Sequence, residues 1–242
     1  MQPVDERFYG RRHGKRIKGS RLFLQENLLP LIEIKEPIDG KKLDVAKLFD
    51  FKPRETWLEV GFGGGEHLAY QAKQHPDIAM IGAEPFLNGV VSLLAHLNGT
   101  WGKPANESAL IEPGRTDNVR IFADDIRKLF PFFADGLFSR IYVLYPDPWP
   151  KTRHEDRRFI GQKNLPELAR LLTPTGELRI ATDVEQYAAW AMDQIEQSAL
   201  FERVNDNVRQ PFSDWFSTRY EQKGLKAGRT PTYLIYKKKR KE

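Results

Sequence analysis

The sequence predicts an α/β fold with a mostly parallel sheet that carries helices on both faces. From residue 56 onwards, short apolar runs alternate with longer helical segments, and a glycine-rich turn joins the first run to the segment after it. Repeated strand–helix–strand units form parallel sheets that are covered on both sides. Apolar residues make up 40% of the 242 residues, which is enough for a substantial core.

The elements follow in chain order after short helical pieces in residues 21–51. The predicted strands are 56–60, 78–85, 118–125, 141–150, 176–183, 201–204 and 231–237. The predicted helices are 66–76, 86–99, 164–176 and 184–199. Proline or glycine provides the stop signal for the first and third of these helices. A long loop rich in Gly, Pro, Asn and Ser is expected at 100–117.

Positive charge is concentrated at the two ends of the chain. The formal net charge is +5, yet residues 1–21 alone hold seven basic against two acidic side chains. Such terminal blocks often act as arms that neutralise phosphates. We therefore expect a flexible basic N-terminal arm at 1–20, with a polyanionic partner, and a single domain at 21–242. The basic tail 237–242 is interpreted as solubilising.

Several classes of protein are excluded by what the sequence lacks. Without cysteine there is no disulfide, no thiolate nucleophile and no Cys-ligated zinc or iron–sulfur site. No His, Asp or Glu spacing makes a convincing metal site, so no metal is expected. No apolar run approaches the ~20 residues that span a bilayer. The polar, basic N-terminus is unlike a signal peptide, and a cytoplasmic location without membrane association is expected.

The glycine turn at residues 61–65 predicts a cofactor site. Gly61, Gly63 and Gly65 alternate in the turn, and glycine permits positive φ and close backbone approach. The turn leads into a helix N-terminus, whose free N–H groups and positive dipole end bind anionic or polar groups.

Carboxylates at the ends of the first three strands sharpen this prediction. Glu84 ends the second strand, where an acid accepts hydrogen bonds from both ribose hydroxyls of an adenosine cofactor. That position fits NAD and S-adenosylmethionine equally well. Glu59, beside the turn, would repel a pyrophosphate and suits the ammonium group of S-adenosylmethionine. Asp124 and Asp125 end the third strand, where an acid can hold the adenine amino group.

A stiff, proline-bounded turn follows the fourth strand. The run 146–150 reads Pro-Asp-Pro-Trp-Pro, and prolines fix φ and remove donors. It presents Asp147 and Trp149 just before residues 151–163, which we call the cationic stretch. Carboxylate, indole and cations together suit a nucleobase on its phosphate backbone. The cations interpreted as phosphate contacts are Lys151, Arg153, Arg157, Arg158 and Lys163.

The run PDPWPKTRHEDRR at 146–158, with EVGFGGG before it and ATD and TRYEQKG after it, resembles the bacterial tRNA (guanine-N7-)-methyltransferases. The resemblance covers about residues 7–236. It implies a Rossmann-like class I methyltransferase fold with a mostly parallel seven-stranded sheet. It also implies S-adenosylmethionine as methyl donor, and methylation of N7 of the variable-loop guanine at tRNA position 46.

The resemblance also implies roles for particular residues. Asp147 takes the catalytic position and a cofactor position. The other implied cofactor contacts are Glu59, Gly61, Gly63, Gly65, Glu84 and Asp125. The implied substrate contacts are Lys151, Asp183, Thr218, Arg219, Tyr220 and Glu221. Asp124 lies one residue from the family's aspartate, and the choice between it and Asp125 stays open.

The chemistry needs no general base, because guanine N7 carries a free lone pair and no proton. Proximity and in-line alignment are expected to supply most of the catalysis. A fixed carboxylate can stabilise the charge that develops on the purine, and can also accept from guanine N1–H and N2–H. Asp147 can do both, and Asp183 can share the task. The base is expected to be extruded, with Trp149 or Tyr220 as a stacking partner.

Three alternatives remain from the sequence. The proline turn faintly resembles that of amino-group methyltransferases, although its register is poor. A nicotinamide oxidoreductase would use the same glycine turn, and a non-catalytic RNA-binding protein could share the fold. The quaternary structure is left as monomer or homodimer.

Overall fold

The computed structural model describes residues 8–102 and 117–239. The first part of the predicted arm, most of the predicted 100–117 loop and the end of the basic tail lie outside the described residues. The strands are β1 (Glu55–Val60), β2 (Ile78–Ala83), β3 (Val119–Phe122), β4 (Phe138–Leu144), β5 (Leu172–Thr182), β6 (Phe201–Arg203) and β7 (Thr232–Lys238). They form one seven-stranded sheet in the order β3-β2-β1-β4-β5-β7-β6.

Seven α-helices are found among these described residues. They are α1 (Ser20–Asn27), α2 (Leu29–Ile32), α3 (Glu66–Gln74), α4 (Leu87–Leu97), α5 (Leu165–Leu171), α6 (Glu185–Ser198) and α7 (Arg219–Lys226). Short 3-10 helices lie at Val45–Leu48, Ile126–Lys128, Phe130–Phe132 and Thr152–Arg157. Among the described residues, no helix has the length and apolar character needed to cross a bilayer.

The chain divides after Phe133 into two compact units. In the first unit, β1 pairs in parallel with β2, and β2 pairs in parallel with β3. Every residue of β2 is buried, which accounts for its uninterrupted apolar character. Because parallel strands end at the same edge, the carboxylates at the ends of β1, β2 and β3 are brought to one side of this unit.

Part of the N-terminal arm lies against the start of α4. The Leu87 amide donates to Arg12 O over 2.9 Å. The Asn88 side chain accepts from Gly14 N and donates to Lys15 O, each over 2.7 Å. We call residues 12–15 with these contacts the clip. Flexibility of the whole arm stays a prediction.

In the second unit, β4 pairs in parallel with β5, whereas β7 runs antiparallel to both β5 and β6. The sheet is therefore mostly parallel with an antiparallel edge, and α5 and α6 pack against β5. The predicted α/β class with a seven-stranded sheet is confirmed.

The bounds of several predicted elements differ from the structure, most clearly those of the fourth strand and the third helix. The strand predicted at 141–150 is β4, Phe138–Leu144, so the proline-bounded turn lies after the strand. The helix predicted over 164–176 ends at Leu171, because the chain enters β5 directly there. Pro174 lies in an exposed, irregular part of β5, where the pairing with β4 shifts register. Proline is tolerated at such positions because no ladder hydrogen bond is needed from it. Helix α7 was not predicted at all.

Candidate functional site

The glycine turn of the first unit has the backbone that its sequence predicts. Gly61, Gly63 and Gly65 have φ values of +65°, +56° and +80°, a region that side-chain-bearing residues rarely adopt. Glu84 is buried and fixes the turn. Its Oε2 accepts from Gly63 N and its Oε1 from Phe86 N, each over 2.8 Å. Each carboxylate oxygen has a second lone pair, so Glu84 can also accept from ligand hydroxyls.

Glu59 is held from one side by a buried histidine. His67 Nδ1 lies 2.7 Å from Glu59 Oε2, and Gln71 Nε2 lies 3.3 Å from His67 Nε2. This arrangement suits a neutral imidazole that donates from Nδ1 and accepts from Gln71 at Nε2. Within the described residues, Glu59 Oε1 has no hydrogen-bond partner. One oxygen of Glu59 is thus available to a ligand.

Asp124 and Asp125 both meet cations at the end of β3. The guanidinium of Arg127 contacts both oxygens of Asp125, the shortest contact being 2.6 Å. Asp124 pairs with Arg12 over 2.8 Å and with Lys128 over 2.6 Å. Burial acts to raise the pKa of Asp124, but the hydrogen bonds from Lys128, the Asp125 amide and Arg12 outweigh it and lower the pKa. The choice between the two aspartates for adenine remains open.

Asp147 of the second unit lies between two residues with unusual backbone conformations. Tyr145 and Trp149 have φ values of +50° and +40°, which are rare for bulky residues and recur at functional sites. The Asp147 side chain is exposed, and no described residue forms an ion pair or hydrogen bond with it. Nearby protein atoms displace part of its water, and this desolvation raises the pKa of Asp147 above its ordinary value. A fixed, unpaired carboxylate is suited to accept a substrate group.

Trp149 is half-buried between two side chains of the cationic stretch. The His154 ring meets it edge-on at 5.8 Å, and the Arg157 guanidinium lies 5.1 Å from its centroid. The indole is therefore packed within the protein as well as lying beside Asp147.

Asp183 follows β5 and is held by the region of α7. Arg229 Nε donates to Asp183 Oδ2 over 2.8 Å. Gly224 lies so close that a methyl group there would be 2.1 Å from the same oxygen. Glycine is normally unfavourable inside a helix, and this close approach explains its presence in α7.

The start of α7 is held by a buried carboxylate. Thr218 Oγ1 accepts from the Glu221 amide over 3.2 Å and so caps the helix. Glu221 is only 3% exposed and accepts from Trp215 Nε1 at 2.9 and 3.1 Å and from the Tyr233 hydroxyl. Its acceptor capacity is thus largely used within the protein. The Thr-x-x-Glu spacing is an N-terminal signature that the sequence interpretation did not use.

The remaining predicted substrate residues lie nearer the surface. Lys151 is exposed at the beginning of the cationic stretch, and Arg219 is half-buried. Tyr220 is 45% exposed, with the Lys223 ammonium 5.7 Å from its ring centroid. Tyr220 therefore offers a ring face at the surface.

Tyr145, which directly follows β4, lies near side chains from the end of β5 and the start of α7. Its ring lies 6.5 Å from that of Trp215. Burial raises the pKa of Tyr145, and the negative charges of Glu221 and Asp183 raise it further. The ends of β4 and β5 and the start of α7 therefore meet around this side chain. The sequence interpretation did not identify Tyr145 or Trp215, because no local pattern around a tyrosine or a tryptophan signals a positive φ or a partner far along the chain.

Comparison with known proteins identifies the family of the chain. A family model described as "Putative methyltransferase" matches residues 53–234, about three quarters of the chain. The tRNA (guanine-N(7)-)-methyltransferase of Paramagnetospirillum magneticum is 44% identical over 236 residues, which cover 96% of this chain and 93% of that protein. The chain belongs to the tRNA (guanine-N7-)-methyltransferase family. The resemblance inferred from its motifs is confirmed.

Two further tRNA (guanine-N(7)-)-methyltransferases show the same extent of similarity. The protein of Ruegeria pomeroyi is 43% identical, with 96% of this chain and 94% of the relative covered. That of Rhodospirillum rubrum is 39% identical, with 97% and 89% covered. As a member of the tRNA (guanine-N7-)-methyltransferase family, the protein is a methyl-transferring enzyme. Across the two described stretches of chain, no three His, Cys, Asp or Glu side chains are grouped as metal ligands would be.

Proposed function

We propose that this enzyme transfers the methyl group of S-adenosylmethionine to N7 of the variable-loop guanine, position 46, of tRNA. The observation that carries the proposal is Asp147, a carboxylate on a stiff turn that pairs with no other described residue, in a chain of this family. The names of the relatives support guanine N7 of tRNA as the acceptor. The carboxylates of the glycine turn support the donor.

The residues of the first unit suit S-adenosylmethionine, which supplies an electrophilic methyl group on a sulfonium. Gly61, Gly63 and Gly65 permit close approach of the backbone, and Glu84 can accept from the ribose hydroxyls. The available oxygen of Glu59 can accept from the ammonium of the methionine part. In the same proposal, Asp125 or its neighbour Asp124 accepts from the adenine amino group.

The acceptor-side residues act by position and charge. Guanine N7 attacks through its own lone pair, so no protein group needs to remove a proton there. The Asp147 carboxylate stabilises the positive charge that develops on the purine, from a turn that does not reorganise. Asp183, held by Arg229, retains oxygen acceptor capacity for guanine N1–H and N2–H. An adenine presents no such donor pair, which favours guanine.

Binding of tRNA is assigned to cations at or near the surface and to Tyr220. Contacts to phosphates position the RNA without reading its sequence. Lys151, Arg219 and the N-terminal arm provide such contacts, and Tyr220 can stack on an extruded base. The packed surroundings of Trp149 make Tyr220 the better stacking partner.

The test is transfer of tritiated methyl from S-adenosylmethionine to unmodified tRNA, followed by N7-specific strand cleavage. We expect incorporation of label and a cleavage at position 46. A matched tRNA with adenine at position 46 is the control and should remain unlabelled. Label at another position would refute the assigned nucleotide, and no label at all would refute the proposed reaction.

A further inference from the structure

The arginine at position 158 does not have the surroundings of a phosphate-binding residue. Its side chain is only 8% exposed, although it lies in the cationic stretch that the sequence interpretation assigned to phosphates. A buried guanidinium is costly unless its donors are paired within the protein. The contacts of Arg158 show where those donors are directed.

Arg158 holds the turn that carries Asp147. Its Nε donates to Pro148 O over 3.0 Å, and its Nη2 donates to Trp149 O over 3.1 Å. The two acceptors are consecutive carbonyls immediately after Asp147. Prolines at 148 and 150 remove backbone donors from this turn, so it cannot be fixed by a ladder of its own N–H groups. The arginine supplies donors from outside the turn.

The guanidinium is itself held on its other sides. It lies 4.5 Å from the ring centroid of Trp190, whose indole N–H donates to Ile160 O over 2.9 Å. Its Nη1 is 3.5 Å from Glu155 Oε1. The planar fork is thus fixed by an aromatic face on α6 and by a carboxylate. Lysine offers neither the fork nor the planar stacking surface.

The hydrogen bond from Arg158 to the Trp149 carbonyl holds a residue whose backbone is strained. Trp149 has a φ of +40°, a conformation that is unfavourable in a non-glycine residue and persists only when its surroundings enforce it. Arg158 binds the carbonyl of that same residue. Loss of this hydrogen bond would let the turn relax. The carboxylate of Asp147, which lies two residues before Trp149, would then be displaced.

We propose that Arg158 is a positioning residue that fixes the Asp147 carboxylate, and that it does not contact tRNA phosphate. The inference rests on the proposed role of Asp147 in methyl transfer. Five cations of the cationic stretch were predicted to contact phosphates. Arg158 is one of them, and its role is now to hold the turn at 146–150.

Arg153 provides a matched comparison, since it lies five residues earlier and is exposed. We compare Arg158→Met, Arg158→Lys and Arg153→Met in single-turnover methyl transfer and in tRNA binding at several salt concentrations. Arg158→Met should lower the rate at saturating substrates by about 100-fold, as expected for misplacement of a reacting group. Its log–log salt slope for tRNA binding should equal that of the wild type. Arg158→Lys should rescue little of the rate.

Arg153→Met should show the opposite result in tRNA binding. Its tRNA affinity should fall and its salt slope should drop by about 0.7–0.9, the value for one phosphate that is no longer neutralised. If Arg158→Met flattens the salt slope by that amount and keeps its saturating rate, Arg158 is a phosphate ligand and the proposal is wrong.

A crystal structure of Arg158→Met separates this proposal from the proposed reaction. The Asp147 carboxylate and the 148–149 carbonyls should be displaced from their wild-type positions, while the backbone of β4 stays in place. This readout needs no substrate. A displaced turn in an enzyme that methylates no tRNA would retain the turn-holding role and refute only the proposed reaction. An unchanged turn in Arg158→Met would refute the positioning role.

Discussion

At the scale of single residues, the site carboxylates differ in how much of their capacity the protein already uses. Glu84 uses one lone pair of each oxygen for backbone amides, and Glu221 is almost entirely occupied by Trp215 and Tyr233. Asp147 has no side-chain partner among the described residues. Substitution of these three acids should therefore affect different quantities: binding and turn geometry for Glu84, local structure for Glu221, and chemistry for Asp147.

Glu84→Ala should weaken binding of S-adenosylmethionine. Loss of one charge-assisted hydrogen bond is worth about 1.5–3 kcal/mol, so we expect the dissociation constant to rise at least about tenfold. Calorimetric titration measures this directly. Glu55→Ala is the control and should leave the titration unchanged, because Glu55 lies at the end of β1 that is farthest from the glycine turn. An unaltered constant for Glu84→Ala would remove this residue from the cofactor site.

Asp147 should give the reaction an acid limb at a pH above the ordinary pKa of aspartate. Because desolvation raises its pKa, the carboxylate gains a proton, and so loses its charge, at a pH above the ordinary aspartate value of about 3.9. The single-turnover rate should therefore fall as the pH decreases through that raised pKa. Asp147→Asn should abolish this limb and lower the rate by about two orders of magnitude.

Saturating concentrations of both substrates separate this effect on chemistry from any effect on binding. The exposed acid Asp156 lies in the same stretch, and Asp156→Asn should retain the acid limb of the wild type. A near-normal rate for Asp147→Asn would contradict its catalytic role.

At the scale of elements, the structure depends on short helices that present or hold single groups. Helix α7 lies close enough to Asp183 that only glycine fits at position 224, and its N-terminus is fixed by Thr218 and Glu221. Strand β7 contributes the Tyr233 hydroxyl to the same carboxylate of Glu221. The position of Asp183 is therefore a property of α7 as much as of β5.

Gly224→Ala tests this dependence. Alanine favours helix formation by up to about 1 kcal/mol over glycine, so α7 should not unfold. The added methyl group must displace the Asp183 carboxylate, and the single-turnover rate should fall by about tenfold to 100-fold. Lys226→Ala, on an exposed position of the same helix, should keep the rate. Equal rates for both variants would show that the position of Asp183 does not matter, and circular dichroism checks that both are folded.

Features that depend on neighbouring residues could be predicted from the sequence, whereas contacts between residues far apart in the chain could not. Apolar runs and the glycine turn are local patterns, and they predicted β1, β2, α3 and the edge with its carboxylates. The contacts of Glu221 join residues that no local pattern relates. Helix α7 carries a readable cap and is amphipathic, but it spans only eight residues and neither signal was used to predict it. Arg158 could not be separated from its cationic neighbours, because burial is decided by packing and not by residue type.

At the scale of the whole molecule, positive charge is segregated from the enzyme's body. The arm and the tail hold the excess of basic residues, while the chain between them is mildly acidic. Such a distribution steers a polyanion to the charged ends without covering the body of the protein. The clip additionally ties one part of the arm to α4 and Asp124.

Deleting residues 1–16 should weaken tRNA binding and flatten its salt dependence, because fewer counterions are released. The double variant Arg11→Gln/Arg16→Gln keeps the clip and should reduce the slope by about 0.7–0.9 for each phosphate that the arm ceases to bind. Binding titrations over a range of salt concentrations give both slopes. Identical slopes for wild type, deletion and double variant would mean that the arm does not touch phosphate.

The clip has a consequence for how the arm can vary among relatives. Asn88 and Leu87 bind backbone groups of residues 12, 14 and 15, so most side chains in this stretch are not specified by these bonds. Gly14 is the exception, because a methyl group there would lie 2.8 Å from the Phe86 ring. Substitutions at positions 13 and 15 are therefore compatible with attachment, whereas an insertion or deletion between 12 and 15 would break the spacing. Natural variation in this stretch should accordingly change its composition freely and its length hardly at all.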